Sequence, residues 1–347
     1  MQRVYLDYNA TTPLRAEART AMIAAMDALG NPSSVHAEGR AAKAIIEKAR
    51  AQIAEAIGAS GADIVFTSSA TEAAALALSG RGLHGSAVEH DAVRAYAGSD
   101  LPVSSAGCVS VADPSHSTLQ LANSETGVMQ ELPPGIAVSD FTQAFGKVPV
   151  SFAWSGADMA LISAHKLGGP KGVGALILRQ GLDVAAQIRG GGQEMGRRSG
   201  TENVIGIAGF GAAAAAAQRD LETGVWSRVE EFRNILEISL EGFTEPIIFV
   251  GKDEPRLPNT SCFIAPGWKG ETQVMQMDLA GFAISAGSAC SSGKAKASGV
   301  LTAMGYSDTQ AAQAVRVSIG PATTEEDIRR FAETWAAKYE RIRARAA

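Results

Sequence analysis

One local pattern recurs along the chain: a short apolar run typical of a buried strand, followed at once by small polar residues. It occurs at residues 62–68, 119–124, 136–143 and 160–166. Helical patterns accompany these strands, at residues 37–57 before the first, at 73–79 after it and at 204–219 after the last. This alternation predicts an α/β fold with a mostly parallel sheet, whose strand ends line one site.

The loop after the fourth apolar run contains a lysine, Lys166, followed by Gly168, Gly169 and Pro170. Ser163 and His165 flank it and could hold an anion beside the amine. A lysine sheltered from water and close to other cations can lose its proton near neutral pH and form an imine. A solvated turn lysine is the alternative that this stretch leaves open.

Three further polar segments have both a structural and a functional interpretation. Residues 68–72 lead into an Ala-rich helix, and there Thr71 suits either an anion at the helix N-terminus or an ordinary Ser/Thr cap. His90, after Glu89, is either a cap or an acid–base group. The Gly-rich residues 190–201 suit a phosphate, a subunit contact or a mobile loop.

The last third of the chain has a different pattern, with strands near 259–264, 282–285 and 315–319 and a charged helix over 324–345. Cys262 fits a buried strand, whereas Cys290 lies among Ser, Gly and Ala near Lys294, a setting typical of an accessible reactive thiol. Arg316 lies between apolar strand residues. It therefore needs a planar anion, either a structural ion pair or a substrate carboxylate.

Composition excludes several classes of protein. The formal net charge of -5 over 347 residues gives no reason to expect nucleic acid or an anionic membrane as partner. No apolar run reaches the roughly 18 residues of a membrane span. Three scattered cysteines suit neither a disulfide framework nor a zinc site, and we expect no signal peptide and a reducing cytoplasm.

In combination these motifs resemble the cysteine desulfurases, pyridoxal-phosphate enzymes of the aminotransferase class V group, and in particular their iron–sulfur-cluster-type branch. The resemblance runs almost end to end and rests on Leu6 to Pro13, Phe66 to Glu72, Glu89–His90, Asn123 to Gly127, Asp140 with Gln143, Ala164 to Lys166, Arg198 to Thr201, Ser288 to Cys290, and Arg316.

The resemblance implies the fold type I of pyridoxal-phosphate-dependent transferases. A large cofactor-binding domain, residues 13–235, would have a mostly parallel sheet between helices. A smaller α+β C-terminal domain would comprise residues 1–12 and 236–347 and include the Cys290 loop. The intervals Glu72–Asn123 and Asn123–Asp140 are shorter than in the family, and Pro133 to Gly135 stand where a helix normally runs.

The resemblance also implies how the cofactor ring is held. Lys166 would bind pyridoxal phosphate as an imine and later move protons at the substrate carbon. Asp140 would pair with the pyridine nitrogen, and His90 would stack on the ring and act in acid–base steps. Asn123 and Gln143 would hydrogen-bond the substrate carboxylate region and the ring oxygen.

For the phosphate, the resemblance implies a cup formed by Ala70, Thr71, Ser163 and His165. Thr201 would reach the phosphate of the neighbouring subunit, which implies a homodimer.

For the substrate, Arg316, helped by Asn9 or Asn31, would bind the carboxylate of L-cysteine. Cys290 would attack its sulfur, leaving alanine and a persulfide for an acceptor protein in iron–sulfur cluster assembly or thiolation. The alternatives are a selenocysteine lyase, another class V enzyme, or a trimmed non-catalytic paralogue that acts as a scaffold.

Overall fold

The computed structural model of the protein describes residues 3–243, 247–287 and 297–346. The helices are α1 (Ala16–Met26), α2 (Ala37–Ala56), α3 (Ala70–Leu78), α4 (Asp91–Arg94), α5 (Val204–Glu222), α6 (Val225–Phe243), α7 (Gly270–Leu279), α8 (Gly299–Ala303), α9 (Asp308–Ala311) and α10 (Glu325–Ala346). The strands are β1 (Val4–Tyr5), β2 (Asp63–Thr67), β3 (Ser139–Asp140), β4 (Met159–Ser163), β5 (Gly174–Leu178), β6 (Ile248–Phe249), β7 (Thr260–Ile264), β8 (Phe282–Ala283), β9 (Ser285–Ala286) and β10 (Ala314–Ser318).

The first large sheet has the order β2-β5-β4-β3. β5 runs antiparallel to both of its neighbours, and β3 runs parallel to β4. Parallel bridges extend the sheet beyond β3, from Val138 to Thr118, from Ser117 to His84 and from Ser86 to Leu101. All these segments except β5 therefore run in one direction, and the predicted mostly parallel sheet is confirmed.

Helices cover both faces of this sheet, so β4 and β5 are buried along their whole length and are apolar except at Ser163, the last residue of β4. Successive strand side chains point to opposite faces. Ile162 and Ile177 pack into the core formed with α2 and α5. Leu161 and Leu176 pack on the other side, into the core formed with α3. Because both faces are buried, the polar residues of these strands are confined to their ends.

The second sheet has the order β6-β7-β10-β9 and is antiparallel throughout. Its core, shared with α6 and α10, is aromatic, and the rings of Trp268 and Tyr339 stack with centroids 6.0 Å apart. The N-terminal residues Val4 and Leu6 join this core. The division into residues 13–235 and residues 1–12 with 236–347 stays a prediction.

Most helices and strands expected from the sequence are present, with ends shifted by a few residues. Helix α7 was not predicted. Its buried side of Gly270, Gln273 and Met277 contains one apolar side chain, so the helical spacing is hidden in the sequence. In the part of the chain that the structure describes, no helix combines the length and hydropathy needed to cross a membrane.

Candidate active site

The polar strand ends of the first sheet surround one cavity of about 260 Å³. Eight of the predicted site residues line it: Ala70, Thr71, His90, Asp140, Gln143, Ser163, His165 and Lys166. Side chains that the sequence did not single out complete the lining, among them Ser69, Gln120, Ser124 and Thr142. The fold therefore gathers these residues from five separate segments of the chain.

Lys166 ends a short 3-10 turn, Ala164–Lys166, that directly follows β4. Its amine donates to the backbone carbonyl oxygens of Asn9, at 2.6 Å, and Ala10, at 2.9 Å. The hydroxyl of Thr12 donates to the carbonyl of Lys166 itself, at 2.8 Å. The N-terminal segment thus holds both the amine and the backbone carbonyl of Lys166. The side chain is half-buried, so Lys166 is not a simple solvated turn lysine.

His165, beside it, is neutral at physiological pH. Burial, and then the cations Lys166, Lys171 and Lys147, lower the pKa of His165 from 6.5 to about 4. Its Nδ1 lies 3.2 Å from the hydroxyl oxygen of Thr11. A neutral imidazole can donate one hydrogen bond toward an anion without adding charge to the site.

His90 serves as the N-cap of α4, because its Nδ1 accepts the backbone N–H of Ala92 at 3.1 Å. His90 is therefore a helix cap, one of the two roles expected from the sequence, and its ring also lines the cavity. An accepting Nδ1 carries no proton, so a neutral His90 ring has its proton on Nε2.

Glu89, immediately before it, is fully buried and accepts the backbone N–H of Gln120 at 2.7 Å. Burial raises the pKa of Glu89 from 4.5 to about 8, and the nearby carboxylate of Asp140 adds to the rise. Its other oxygen has no hydrogen-bond partner among the described residues. Because of this raised pKa, we expect Glu89 to be protonated and neutral at physiological pH.

Asp140 ends β3 and is held by a local turn, since its Oδ1 accepts the backbone N–H of Thr142 at 2.8 Å. The half-buried carboxylate lines the cavity together with Lys166. The carboxyl group of Asp140 is thus held in place at the cavity, and its pairing with a ring nitrogen stays a prediction.

The N-terminus of α3 forms another wall. Ser69 caps the helix by accepting the N–H of Glu72. The N–H groups of Ala70 and Thr71 precede the first bond within the helix. β5 allows this close approach, because a Cβ on Gly174 would lie 2.5 Å from the carbonyl carbon of Ser69. This end of the cavity suits a phosphate.

Asn9 and Asn123 are buried behind the cavity wall rather than lining it. The Oδ1 of Asn123 accepts the N–H groups of Glu125 and Thr126, at 2.8 and 2.9 Å. Its amide donates to the carbonyl of Val88. Asn123 therefore shapes its own turn in this structure, and a contact with substrate or cofactor stays a prediction.

Arg316 is buried in β10, where its Nη2 lies 2.6 Å from Oδ1 of Asp7 and its Nη1 donates to the carbonyl of Ser124. The Nε atom has no partner among the described residues. The structural ion pair is therefore formed. A role for the same guanidinium in binding a substrate carboxylate stays a prediction.

Two predicted residues lie away from the cavity. Asn31 is exposed, and its Oδ1 accepts the N–H of Ser33. Thr201 is exposed and lines a separate crevice of about 120 Å³ with Ser68 and Arg198. Within a single chain neither residue joins the site. A larger cleft of about 590 Å³, between α2 and residues 192–195, contains none of the predicted site residues.

Cys290 lies outside the described residues, so its predicted role is unaltered by the geometry. Downstream of it, Ser298 caps α8 and donates its hydroxyl to the buried carboxyl of Glu125. Cys262 is buried as expected, and burial raises the pKa of its thiol to about 12. A group that remains a thiol at all physiological pH values is a poor nucleophile.

Comparison with known proteins gives a consistent result. A family model described as Aminotransferase class-V matches residues 4–94 and 118–331. The cysteine desulfurase IscS of Dictyoglomus turgidum is 35% identical over 363 residues, spanning 94% of this chain and 92% of that protein. The cysteine desulfurase of Cereibacter sphaeroides is 37% identical over 382 residues, spanning 99% and 97%.

Among solved structures, a NifS-like protein from Rickettsia africae has a TM-score of 0.88 and 32% identity, covering 98% of this chain and all of that one (100%). The chain therefore belongs to the aminotransferase class-V family. Within that family it falls among the cysteine desulfurases. The fold class and the resemblance inferred from the sequence are thereby confirmed.

Proposed function

We propose that the protein is a pyridoxal-phosphate-dependent cysteine desulfurase. It takes the sulfur atom from L-cysteine, releases L-alanine and retains the sulfur as a persulfide on Cys290. The observation that supports this most directly is the grouping of Lys166, His90 and Asp140 around one cavity, in a chain that belongs among the cysteine desulfurases.

The residues around the cavity fit pyridoxal phosphate. An amine at Lys166, a fixed carboxylate at Asp140 and a helix N-terminus at Ala70 and Thr71 match its aldehyde, pyridine nitrogen and phosphate. Ser163 and His165 would complete the phosphate cup. When bound, the cofactor supplies an electron sink for the bonds broken at the substrate carbon.

The chain's own groups then divide the work. The amine of Lys166 holds the cofactor and afterwards moves a proton at the substrate carbon. Asp140 stabilises a proton on the ring nitrogen. His90 would stack on the cofactor ring and act in acid–base steps, with its Nδ1 accepting the Ala92 N–H. Gln143 offers its amide to the ring oxygen.

Substrate binding falls to Arg316, whose guanidinium suits a carboxylate in both charge and shape. Asn9 is hydrogen-bonded to the carbonyl of Ser124, which also accepts from Arg316, so the two side chains support one backbone group. The Cys290 thiolate attacks the substrate sulfur. The carbon–sulfur bond breaks, the sulfur–sulfur bond forms, and the substrate carbon takes a proton to become alanine.

The sulfur then passes to an acceptor, which we propose to be a protein of iron–sulfur cluster assembly or thiolation. A thiol at Cys290 distinguishes this reaction from transamination, which needs no such group. It also argues against a role as a scaffold alone.

We further propose a homodimer in which Thr201 contacts the phosphate bound by the other subunit. Its exposed position away from its own chain's cavity suits this role. Mixing a Lys166→Ala chain with a Thr201→Ala chain tests it. A mixed dimer contains one site with both native residues, so activity should rise above that of either variant alone. Activity equal to the average of the two would contradict the shared site.

The proposed activity is tested by adding L-cysteine and a reductant to the protein loaded with pyridoxal phosphate, and measuring alanine and sulfide. Both products should form in equal amounts, and both should disappear with Lys166→Ala or Cys290→Ser. Turnover that ignores Cys290 would indicate another class V reaction. A protein that takes up no pyridoxal phosphate would exclude the proposal and favour the scaffold.

A further inference from the structure

A second lysine lies directly behind the cavity. Lys147 is 1% exposed, and its amine donates to Oδ1 of Asn9, at 2.9 Å, and to Oε1 of Gln143, at 2.7 Å. No carboxylate pairs with it among the described residues, and the charged groups that act on it are the cations Lys166 and Arg316. Burying an amine without an anion costs free energy.

Asn9 connects this amine to Lys166. Its side-chain oxygen accepts from Lys147 and from the amide of Asn259, at 3.0 Å. Its backbone oxygen accepts from the amine of Lys166, at 2.6 Å, and from the amide of Gln143, at 3.0 Å. The four residues Lys147, Gln143, Asn9 and Lys166 therefore form one hydrogen-bonded network that runs from the protein interior to the cavity.

We propose that Lys147 is a positioning residue that fixes Asn9 and Gln143, so that the amine of Lys166 is held where it reacts with the aldehyde of pyridoxal phosphate. In that step the amine nitrogen bonds to the aldehyde carbon and water leaves. The inference rests on the proposed function, since it assigns Lys147 to the same site.

The polar surroundings of Lys147 favour this role over a purely structural one. An apolar residue of similar volume commonly stabilises a protein as well as a buried charge does. Stability alone therefore gives little reason for an amine here. Three hydrogen bonds within the network, from Lys147 to Asn9, from Lys147 to Gln143 and from Gln143 to Asn9, instead define the position of the carbonyl that receives Lys166.

The test measures how fast the cofactor-free protein captures pyridoxal phosphate, followed by the visible absorption that appears as Lys166 reacts. Lys147→Met removes the amine and keeps the length of the side chain. We expect capture to slow by about tenfold, because a small displacement of a reacting group lowers its rate strongly. The affinity for pyridoxamine phosphate, which has no aldehyde and needs no reaction with Lys166, should change by less than about threefold.

Lys171→Met is the matched control. It makes the same substitution at an exposed lysine near His165, and it should leave capture unchanged. If Lys147→Met does not fold, Lys147→Gln, which still donates a hydrogen bond, replaces it and should show an intermediate rate.

Two results would overturn the inference. One is a capture rate for the Lys147 variant equal to that of the wild type. The other is an equal loss of capture and of pyridoxamine phosphate affinity, which would mean that Lys147 only supports the cavity. Lys166→Ala sets the baseline: a wild-type protein indistinguishable from it would refute the proposed function itself rather than the role of Lys147.

Discussion

Arg316 of β10 and Asp7 of the N-terminal segment form an ion pair in which Nη2 lies 2.6 Å from Oδ1, with side chains 6% and 17% exposed. The pair ties the second sheet to the segment whose carbonyls receive the amine of Lys166. The same guanidinium is proposed to bind the substrate carboxylate, so stability and substrate affinity depend on one group.

Replacing Arg316 by Met should therefore lower both the stability of the protein and its affinity for L-cysteine. We expect the free energy of unfolding to fall by about 3 kcal/mol, because the substitution leaves the Asp7 carboxylate without its cation. KM for L-cysteine should rise by at least about tenfold, the effect of losing a charged hydrogen bond. Urea unfolding and steady-state kinetics measure the two effects.

Two variants separate these effects. Asp7→Asn keeps Arg316 and should leave KM within about threefold of the wild type. Arg3→Met breaks the exposed pair with Asp278 and should cost less than about 1 kcal/mol. Equal increases of KM in Asp7→Asn and Arg316→Met would show that Arg316 has only the structural role.

Glu89 should make stability depend on pH. Between its ordinary pKa of 4.5 and its folded value of about 8, the folded protein retains a proton that the unfolded chain has lost. The contribution of Glu89 to the free energy of unfolding is therefore greatest at the low end of this pH range. It falls as pH rises, by up to about 1.4 kcal/mol per pH unit.

Glu89→Gln removes this titration but keeps an oxygen for the Gln120 N–H. The free energy of unfolding of both proteins is measured in urea from pH 5 to pH 8. As pH rises, the stability of the variant relative to the wild type should increase. Parallel curves for the two proteins would show that Glu89 is ionised in the folded state at neutral pH.

Gly174 should tolerate no side chain. A Cβ there would lie 2.5 Å from the carbonyl carbon of Ser69 and 2.8 Å from the backbone nitrogen of Ala70. Gly174→Ala should therefore separate β5 from the phosphate end of the cavity, costing roughly 1–3 kcal/mol and weakening the binding of pyridoxal phosphate. Gly242→Ala, where a Cβ meets open space, is the control and should leave both unchanged or improve stability.

His90 should prove to have separable capping and chemical roles. Asn is a good N-cap, so His90→Asn should retain the stability that His90→Ala loses, about 1 kcal/mol. Both variants lack the ring and should lose about a hundredfold in kcat. If His90→Asn keeps wild-type kcat, the histidine is a cap and nothing more.

The sequence was sufficient for the sheet and for the residues at its strand ends, because buried parallel strands confine polar residues to the sheet edge. Lys166 and Asp140 could be selected on that basis, whereas the role of His90 came from the family resemblance. The ends of β2 and β4 could be placed within a residue or two, since both are short apolar runs bounded by polar residues.

Other features depend on contacts between distant segments and leave no local signal. Lys147 looks like an ordinary surface lysine in the sequence, yet it is buried against Asn9, far away along the chain. The ion pair of Arg316 with Asp7 is equally non-local, and only the need for some anion could be inferred. Glu89 stood out only as the neighbour of His90.

The most direct test of the proposed mechanism is the mass of the Cys290 peptide after the protein, loaded with pyridoxal phosphate, has reacted with L-cysteine without reductant or acceptor. We predict a gain of one sulfur atom on Cys290 and an equal amount of alanine, with neither product in Lys166→Ala. Alanine formed while Cys290 remains unmodified and the sulfur appears directly as sulfide would contradict the proposed mechanism.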